Sequence, residues 1–118
     1  MSTPLDKDLL KRTSEIIERH IDDTQFGIPV LCEELGIGRS LLYAKFKALT
    51  GMNPNNFILN YRLKQAAVLL KQSADRTIAE VSDCCGFSTP VYFSQCFKKQ
   101  YGVTPQAYRK SQTGGEKG

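Results

Sequence analysis

The chain has 118 residues, of which 41% are apolar, and it carries a formal net charge of +4. This length suits one domain or two very small subdomains. No apolar run approaches the ~20 residues of a membrane-spanning helix, and Met1 to Asp8 lacks the apolar segment of a secretory leader. We therefore expect a cytoplasmic location.

Acidic and basic residues are unevenly distributed along the chain. Residues 1–34 carry a net charge of −4, whereas residues 35–118 carry +8. A basic body behind an acidic leading segment favours a polyanionic partner on one face. An ordinary solvated surface would also account for these charges.

The cysteines and the single histidine do not have the spacing of a metal site. The four cysteines form no C-x-x-C pair, and we expect buried, reduced thiols at Cys32, Cys84, Cys85 and Cys96. His20 lies on the apolar face of the first predicted helix, where a packed or surface side chain is expected. A zinc site would need four regularly spaced ligands, so we predict no metal and no cofactor.

Helical periodicity of the apolar residues predicts seven helices, and no stretch alternates for long enough to form a strand. The predicted helices span about residues 6–21, 29–35, 39–50, 53–72, 78–85, 90–101 and 105–111. The fourth has Pro54 near its start, where a missing N–H is tolerated, and would be ~27 Å long at ~1.5 Å per residue. Residues 112–118 are predicted to form a disordered tail.

Glycines and capping residues mark the ends of these helices. Glycine is predicted to end four of them, at Gly36, Gly51, Gly86 and Gly102. Thr77 and Glu80 have the spacing of a capping box, and Thr89-Pro90 and Thr104-Pro105 are caps followed by proline in the first turn. Two helices joined by a glycine turn have the sequence form of a helix-turn-helix.

The third and sixth helices are each predicted to have an inward apolar face and an outward, mostly polar face. The inward residues are Leu42, Phe46 and Leu49 in the third helix, and Phe93 and Phe97 in the sixth. The outward residues are Arg39, Ser40, Tyr43, Ala44, Lys45 and Lys47, and then Val91, Tyr92, Ser94, Gln95, Lys98 and Lys99.

The sequence before the fourth helix is repeated after it. Gly36-Ile37 corresponds to Gly86-Phe87. After a slip of one residue in the turn, Phe46, Gly51, Pro54 and Phe57 correspond to Phe97, Gly102, Pro105 and Tyr108. An internal repeat fixes the architecture, and this one predicts two small modules held apart by a spacer helix.

The doubled pattern resembles the DNA-binding domain of the AraC/XylS family of bacterial transcription regulators, over nearly all of residues 6–110. The first set of motif residues is Leu31-x-x-Glu34-Leu35-Gly36-Ile37-x-x-Ser40-x-Leu42-x-x-x-Phe46-Lys47, with Gly51-x-x-Pro54 and Arg62-Leu63-x-x-Ala66. The second is Ile78-Ala79-x-Val81, Gly86-Phe87-x-x-x-x-Tyr92-Phe93-Ser94-x-x-Phe97-Lys98-Lys99, Gly102-Val103-Thr104-Pro105 and Tyr108-Arg109. The segments 49–51 and 88–93 are most similar to the C-terminal output domains of hybrid two-component regulators of the Bacteroides type.

The resemblance implies an all-α fold of two helix-turn-helix subdomains, each a homeodomain-like three-helix unit, joined by a long linker helix. The subdomains would span residues 6–52 and 73–111 and the linker helix 53–72. The function implied is sequence-specific DNA binding, with two recognition helices in successive major-groove segments on one face of the duplex.

The resemblance also implies which residues contact DNA. Base edges would be reached from Ser40, Tyr43 and Ala44, and from Pro90, Val91, Ser94 and Gln95, with Ser88 and Thr89 at the helix start. Alanine at 44 departs from the family pattern and can offer only a methyl contact, so Tyr43, Arg39 or Lys45 could carry the readout instead. Phosphates, which position the protein without specifying sequence, would be met by Lys47, Lys98, Lys99 and Arg109; an ordinary solvated side chain is the alternative for each lysine.

Promoter or operator DNA is thus the expected partner, and RNA polymerase is a second candidate. A sensor or dimerisation domain is expected elsewhere if the chain is a fragment; the alternative is a stand-alone regulator. The competing interpretation is a helical protein-interaction module without DNA binding, which a gel shift against promoter DNA would distinguish. An enzyme is disfavoured, because the sequence has no Gly-rich phosphate loop, no paired carboxylates in a predicted cleft and no metal-ligand spacing.

Overall fold

The structure, a computed structural model, describes the backbone of residues 4–114 and the side chains of Asp6 and of residues 8–111. Within that part of the chain it is all-helical, which confirms the predicted fold class and the count of seven helices. The helices are α1 (Pro4–Arg19), α2 (Ile28–Leu35), α3 (Arg39–Thr50), α4 (Pro54–Gln72), α5 (Ile78–Cys84), α6 (Pro90–Tyr101) and α7 (Pro105–Gly114).

The observed helix ends differ from the predicted ones by a few residues. α1 ends at Arg19 rather than at Ile21, because the His20 amide is shared between the carbonyls of Ile16 and Ile17 and the last turn tightens. α7 continues to Gly114, whereas a tail was predicted from residue 112; the rest of that tail lies outside the described residues.

The chain divides into two compact units, Met1–Tyr61 and Arg62–Gly118, with the boundary inside α4. In the first unit α2 packs against both α1 and α3. Its core takes apolar residues from these three helices, from the loop before α2 and from the first half of α4: Leu9, Ile16, Ile17, Phe26, Ile28, Leu31, Leu35, Leu42, Phe46 and Ile58. Burial of this set is the main stabilising contribution within the unit.

The second unit is built from the second half of α4 and from α5, α6 and α7, with α6 packed on α5 and α7. Its buried apolar residues are Leu63, Ala66, Ala67, Leu70, Val81, Cys85, Phe87, Phe93 and Phe97. The buried Arg62 donates from Nη1 to the Cys85 carbonyl oxygen at 2.7 Å. A buried guanidinium is tolerated only with such partners, so this bond fixes where the end of α5 lies against α4.

The aromatic rings of the second unit form one connected cluster. Phe97 lies at its centre, with ring centroids 5.8 Å from Phe93, 4.4 Å from Tyr101 and 5.3 Å from Tyr108. Phe46, at the equivalent place in the first unit, contacts Phe57 in an edge-on geometry at 5.1 Å. The second unit therefore relies more on ring packing than the first.

Glycine caps the ends of α2, α3 and α6, as predicted, whereas α5 ends at Cys84 with Cys85 as its cap and Gly86 follows in the turn. The four glycines Gly36, Gly51, Gly86 and Gly102 all have φ between 73° and 81°. The turns at Gly36 and Gly86 each join the two helices of a helix-turn-helix, and a side chain there would be strained by the positive φ. The capping box is also confirmed, because Thr77 Oγ1 accepts from the Glu80 amide at 3.0 Å and the Glu80 carboxylate accepts from the Thr77 amide at 2.8 Å.

Two predictions about burial are wrong. Leu49 was predicted to point inward but is 37% exposed, because periodicity identifies a helix face without showing how far along the helix the packing extends. Of the cysteines only Cys85 is buried, and Cys32, Cys84 and Cys96 are half-buried. All four are free thiols.

Candidate nucleic-acid interface

The outward face of α3 is a continuous stripe opposite the core. Leu42 and Phe46 are fully buried, so the opposite side of the helix faces solvent. Ser40, Ala44 and Lys47, spaced four and three residues apart, are all exposed and share one side of the helix. We call these three residues the α3 stripe.

Side-chain contacts hold the flank of the α3 stripe in place. The guanidinium carbon of Arg39 lies 5.3 Å from the centre of the Tyr43 ring, within the range of a cation–π contact. Asn55, in the first turn of α4, donates from Nδ2 to Tyr43 Oη at 3.1 Å. Arg39 is exposed and Tyr43 half-buried, so both can still be reached by a partner.

Lys45 is engaged with α1 rather than projecting from the α3 stripe. Its Nζ lies 2.8 Å from Asp6 Oδ1, and both side chains are mostly buried. Partial burial reduces screening of this ion pair by solvent. The charge of Lys45 is therefore used in an ion pair that joins α3 to α1 within the first unit.

The outward face of α6 repeats this arrangement. Phe93 and Phe97 are fully buried, and Val91, Gln95 and Lys98 form the exposed α6 stripe, each at the position equivalent to a member of the α3 stripe. The flanking residues Ser88, Thr89, Pro90 and Lys99 are exposed and Ser94 is half-buried. The two helices thus present matched surfaces with different chemistry.

The start of α6 is defined by its own side chains. Thr89 Oγ1 accepts from the Tyr92 amide at 3.0 Å, and Pro90 occupies the first helical position. α3 begins after Gly38, which makes no side-chain capping bond. Lys98 and Lys99 lie in the last turn of α6, where positive charge is favourable to the helix dipole.

Arg109 is bound at the C-terminal end of α4. It donates from Nε to the Leu70 carbonyl oxygen at 3.4 Å and from Nη2 to that of Ser73 at 3.2 Å. The Leu70 carbonyl lies in the last turn of α4, where carbonyls have no partner within the helix, and Arg109 supplies one from α7. This role was not foreseen from the sequence.

A charged cluster lies at the end of α2 in the first unit. The His20 ring bonds to the Glu34 carboxylate at 2.6 Å and Arg19 lies 2.8 Å from its other oxygen. The hydrogen bond with His20 has the largest effect on the pKa of Glu34 and lowers it; desolvation opposes this shift, and the hydrogen bond and charge of Arg19 add to it, so the pKa lies below its ordinary value. His20 also stacks on Phe26 at 4.8 Å, and no local sequence signal indicated this cluster.

The phenol of Tyr92 on α6 interacts with the neighbouring Cys96 thiol. A hydrogen bond with the Cys96 thiol, followed by the electrostatic effect of Cys96 and by partial burial, raises the pKa of Tyr92 above its ordinary value. Tyr92 is 48% exposed next to the α6 stripe.

Within the described residues, no three or more His, Cys, Asp or Glu side chains come close enough together to hold a metal ion. None of the helices described in residues 4–114 is both long and apolar enough to cross a membrane.

The arrangement of a short helix, a glycine turn and an outward-facing second helix, present in each unit, defines a helix-turn-helix protein. Residues 31–111 match the helix-turn-helix domain family, which covers α3 and α6 together. The chain belongs to this family, in its AraC/XylS branch, as the sequence resemblance indicated.

Individual relatives agree with this assignment. The chain is 34% identical to the HTH-type transcriptional regulator MtrA of Neisseria gonorrhoeae over 91% of its own length and 35% of that protein. It is 40% identical to the histidine kinase P4 of Formosa agariphila over 89% of its own length, but spans only 8% of that protein. The solved DNA-binding domain of AdpA, in complex with a target DNA, superposes with a TM-score of 0.81 at 30% identity, covering 89% of this chain and 93% of that one.

Proposed function

We propose that the chain is a sequence-specific DNA-binding domain of a bacterial transcription regulator, and that α3 and α6 enter successive major-groove segments. The observation that carries this proposal is that the family match over residues 31–111 includes both outward-facing helices. The likeness to the AdpA domain, which was solved with its target DNA, supports it.

In this proposal the stripe residues other than the two lysines contact base edges. Gln95 can pair bidentately with adenine, whereas Ala44 and Val91 can contact a thymine methyl group. Ser40 of the α3 stripe borders the Ala44 contact, and the exposed Ser88, Thr89 and Pro90 and the half-buried Ser94 border those of α6. The two stripes therefore differ in the bases that they would select.

The exposed lysines at the ends of the stripes are the proposed phosphate contacts, and these are Lys47, Lys98 and Lys99. Lys45 and Arg109 act differently, since Lys45 is paired with Asp6 and Arg109 is bonded to carbonyls of the α4 end. We assign both a supporting role, in which they hold the recognition surfaces and add positive potential to them.

The proposed setting is the cytoplasm, with promoter or operator DNA as partner. A sensor or dimerisation region elsewhere in a longer protein, and contact with RNA polymerase, belong to this proposal. The relative named as a histidine kinase supports an output role in two-component signalling. The chain spans only a small part of that relative, so the domain would be one module among several.

The test is selection from a pool of random duplexes, followed by gel shifts of the enriched sequence at several salt concentrations. We expect one enriched motif, and a dissociation constant whose logarithm changes by roughly 0.9 per log unit of salt for each phosphate neutralised. Lys98→Ala should lower that slope by about one and weaken all sequences alike.

Lys71→Ala is the matched control, because Lys71 is an exposed lysine in the last turn of α4, outside both stripes. Its slope should equal that of the unmodified protein. Salt-independent binding, or no enrichment from the pool, would refute DNA binding, and the protein-interaction alternative would then take its place.

A further inference from the structure

Asn55 lies beside the candidate interface but is not part of either stripe. It is exposed in the first turn of α4, two residues after Asn53, whose side chain caps the helix by accepting from the Asn56 amide at 2.8 Å. Pro54, between them, is buried. The backbone that carries Asn55 is therefore held from both sides, and its amide group is directed at Tyr43 Oη at 3.1 Å.

The hydrogen bond from Asn55 determines whether the Tyr43 hydroxyl acts as a donor or an acceptor toward a partner. A phenol oxygen has one proton to give and can accept as well. Since Tyr43 Oη accepts from Asn55 Nδ2, its own proton remains available to an acceptor outside the protein. The bond also fixes the ring, and the ring in turn lies 5.3 Å from the guanidinium carbon of Arg39.

Two contacts therefore connect α4 to the exposed face of α3. Asn55 of α4 bonds to Tyr43, and the Tyr43 ring contacts Arg39. Arginine on a recognition helix most often reads guanine, with two hydrogen bonds to O6 and N7. A guanidinium held over an aromatic ring loses less freedom when it binds, because its orientation is already restricted.

We propose that Asn55 is a positioning residue for base readout: it orients Tyr43, and through the Tyr43 ring it orients Arg39 toward a guanine in the major groove. This inference rests on the proposed function and adds to it a base preference and a residue outside the recognition helix that enforces the preference.

The experiment uses the duplex that the unmodified chain enriches from a random pool, and a set of duplexes with each base pair of that sequence replaced in turn. Asn55→Leu removes the donor at similar size, Tyr43→Phe removes the hydroxyl and keeps the ring, and Arg39→Ala identifies the base pair that arginine reads. Asn56→Leu is the matched control, because Asn56 is an exposed asparagine in the same turn of α4.

We expect Asn55→Leu to weaken binding about threefold to tenfold, the range for one lost hydrogen bond. It should also reduce the preference for guanine at the base pair where Arg39→Ala abolishes it. Asn55→Gln should restore part of that preference, because it retains a donor. Asn56→Leu should change neither quantity.

A double-mutant cycle separates this role from a direct contact between Asn55 and DNA. If Asn55 acts through Tyr43, the Asn55→Leu, Tyr43→Phe double variant should bind no more weakly than Tyr43→Phe alone. Additive losses would assign Asn55 its own DNA contact and overturn the proposal. So would an unchanged guanine preference in Asn55→Leu, or an equal loss in Asn56→Leu.

The thermal unfolding midpoint of each variant should match that of the parent, since Asn55 is exposed and Phe retains the Tyr43 ring. If the unmodified protein enriches a motif and the variants enrich the same motif, this inference is refuted but the proposed function is not. A parent that enriches no sequence would refute the proposed function, and the inference with it.

Discussion

The two recognition helices occupy equivalent places in their units but are held in different ways. α6 carries its own start signal, because Thr89 caps it and Pro90 opens it. α3 starts at an uncapped glycine and is tied by side chains to elements outside it, through Lys45 to α1 and through Tyr43 to α4. The start of a repeated helix can therefore be fixed by a local cap in one copy, while in the other copy side-chain contacts with neighbouring helices hold the helix in place.

The largest expected effect comes from truncating the central ring of each unit, which compares how much each ring stabilises its own unit. Phe46 and Phe97 are both fully buried, and replacing either by alanine should cost about 3–5 kcal/mol of unfolding free energy. Phe97→Ala should lie at the upper end because Phe97 packs against three neighbouring rings. Urea denaturation followed by circular dichroism measures the loss.

Val91→Ala serves as the control for this pair, since Val91 is 67% exposed and its truncation should change stability by less than ~0.5 kcal/mol. Unfolding curves for Phe46→Ala and Phe97→Ala that coincide with the parent's would show that the inward faces are assigned incorrectly.

The next test asks whether the two units must act together on DNA. Ala67 lies inside α4 and is 7% exposed, so Ala67→Pro removes a backbone bond and kinks the helix at a cost of ~3 kcal/mol or more. If both units bind one duplex, the variant should lose the advantage of linked binding, on the order of 10² in affinity. Ala67→Ser is the control without a helix break.

A matching test changes the DNA instead of the protein, by inserting base pairs between the two segments that the two units would contact. Because B-DNA turns once per ~10.5 base pairs, inserting about five base pairs should remove the linked binding. Inserting a full turn should not restore it if α4 remains one helix. If affinity is unchanged by every insertion and by Ala67→Pro, the proposal that α3 and α6 bind one duplex together is wrong.

Removing the local start signal of α6 should have a smaller effect. Thr89→Ala deletes the bond to the Tyr92 amide and should lower stability by ~1 kcal/mol. Thr89→Ser retains the acceptor and should lose only a fraction of that. If the alanine variant is as stable as the serine variant, the cap does not stabilise α6 and the contrast between the two helices is wrong.

The smallest expected effect comes from giving α3 the cap that it lacks. Gly38 has φ −78° and ψ 166°, and an added Cβ would meet no atom within 4 Å. Gly38→Ser should therefore raise stability by a few tenths of a kcal/mol. Gly38→Ala, which restricts the chain without an acceptor, isolates the capping contribution; a serine variant no more stable than the alanine variant would show that side-chain capping adds nothing to α3.

What the sequence predicted correctly is mostly local. The positive-φ turns at Gly36 and Gly86 and the capping box of Thr77 and Glu80 depend on residues a few positions apart, where backbone geometry permits few alternatives. The seven helices follow from apolar periodicity for the same reason. The internal repeat then supplied the architecture, since two copies of one local pattern imply two similar units.

What the sequence did not predict depends on contacts between distant residues. The Lys45–Asp6 and Tyr43–Asn55 pairs form because separate helices pack side by side, and periodicity does not reveal which side chains will meet there. Arg109 was predicted as a phosphate contact, and its bonds within the protein were missed because the carbonyl partners lie 36 and 39 residues earlier in the chain. Which of the remaining predicted DNA contacts form is still a prediction.

The buried bond from Arg62 to the Cys85 carbonyl has a consequence for the order in which a growing chain can fold. The core residues of the first unit all precede Tyr61, so this unit can close as soon as its own residues have emerged from the ribosome. Arg62 can make this bond only after Cys85, 23 residues later in the chain, has been synthesised. During synthesis the first unit should therefore fold before the second unit has been completed. The second half of α4 should remain exposed to solvent during that interval.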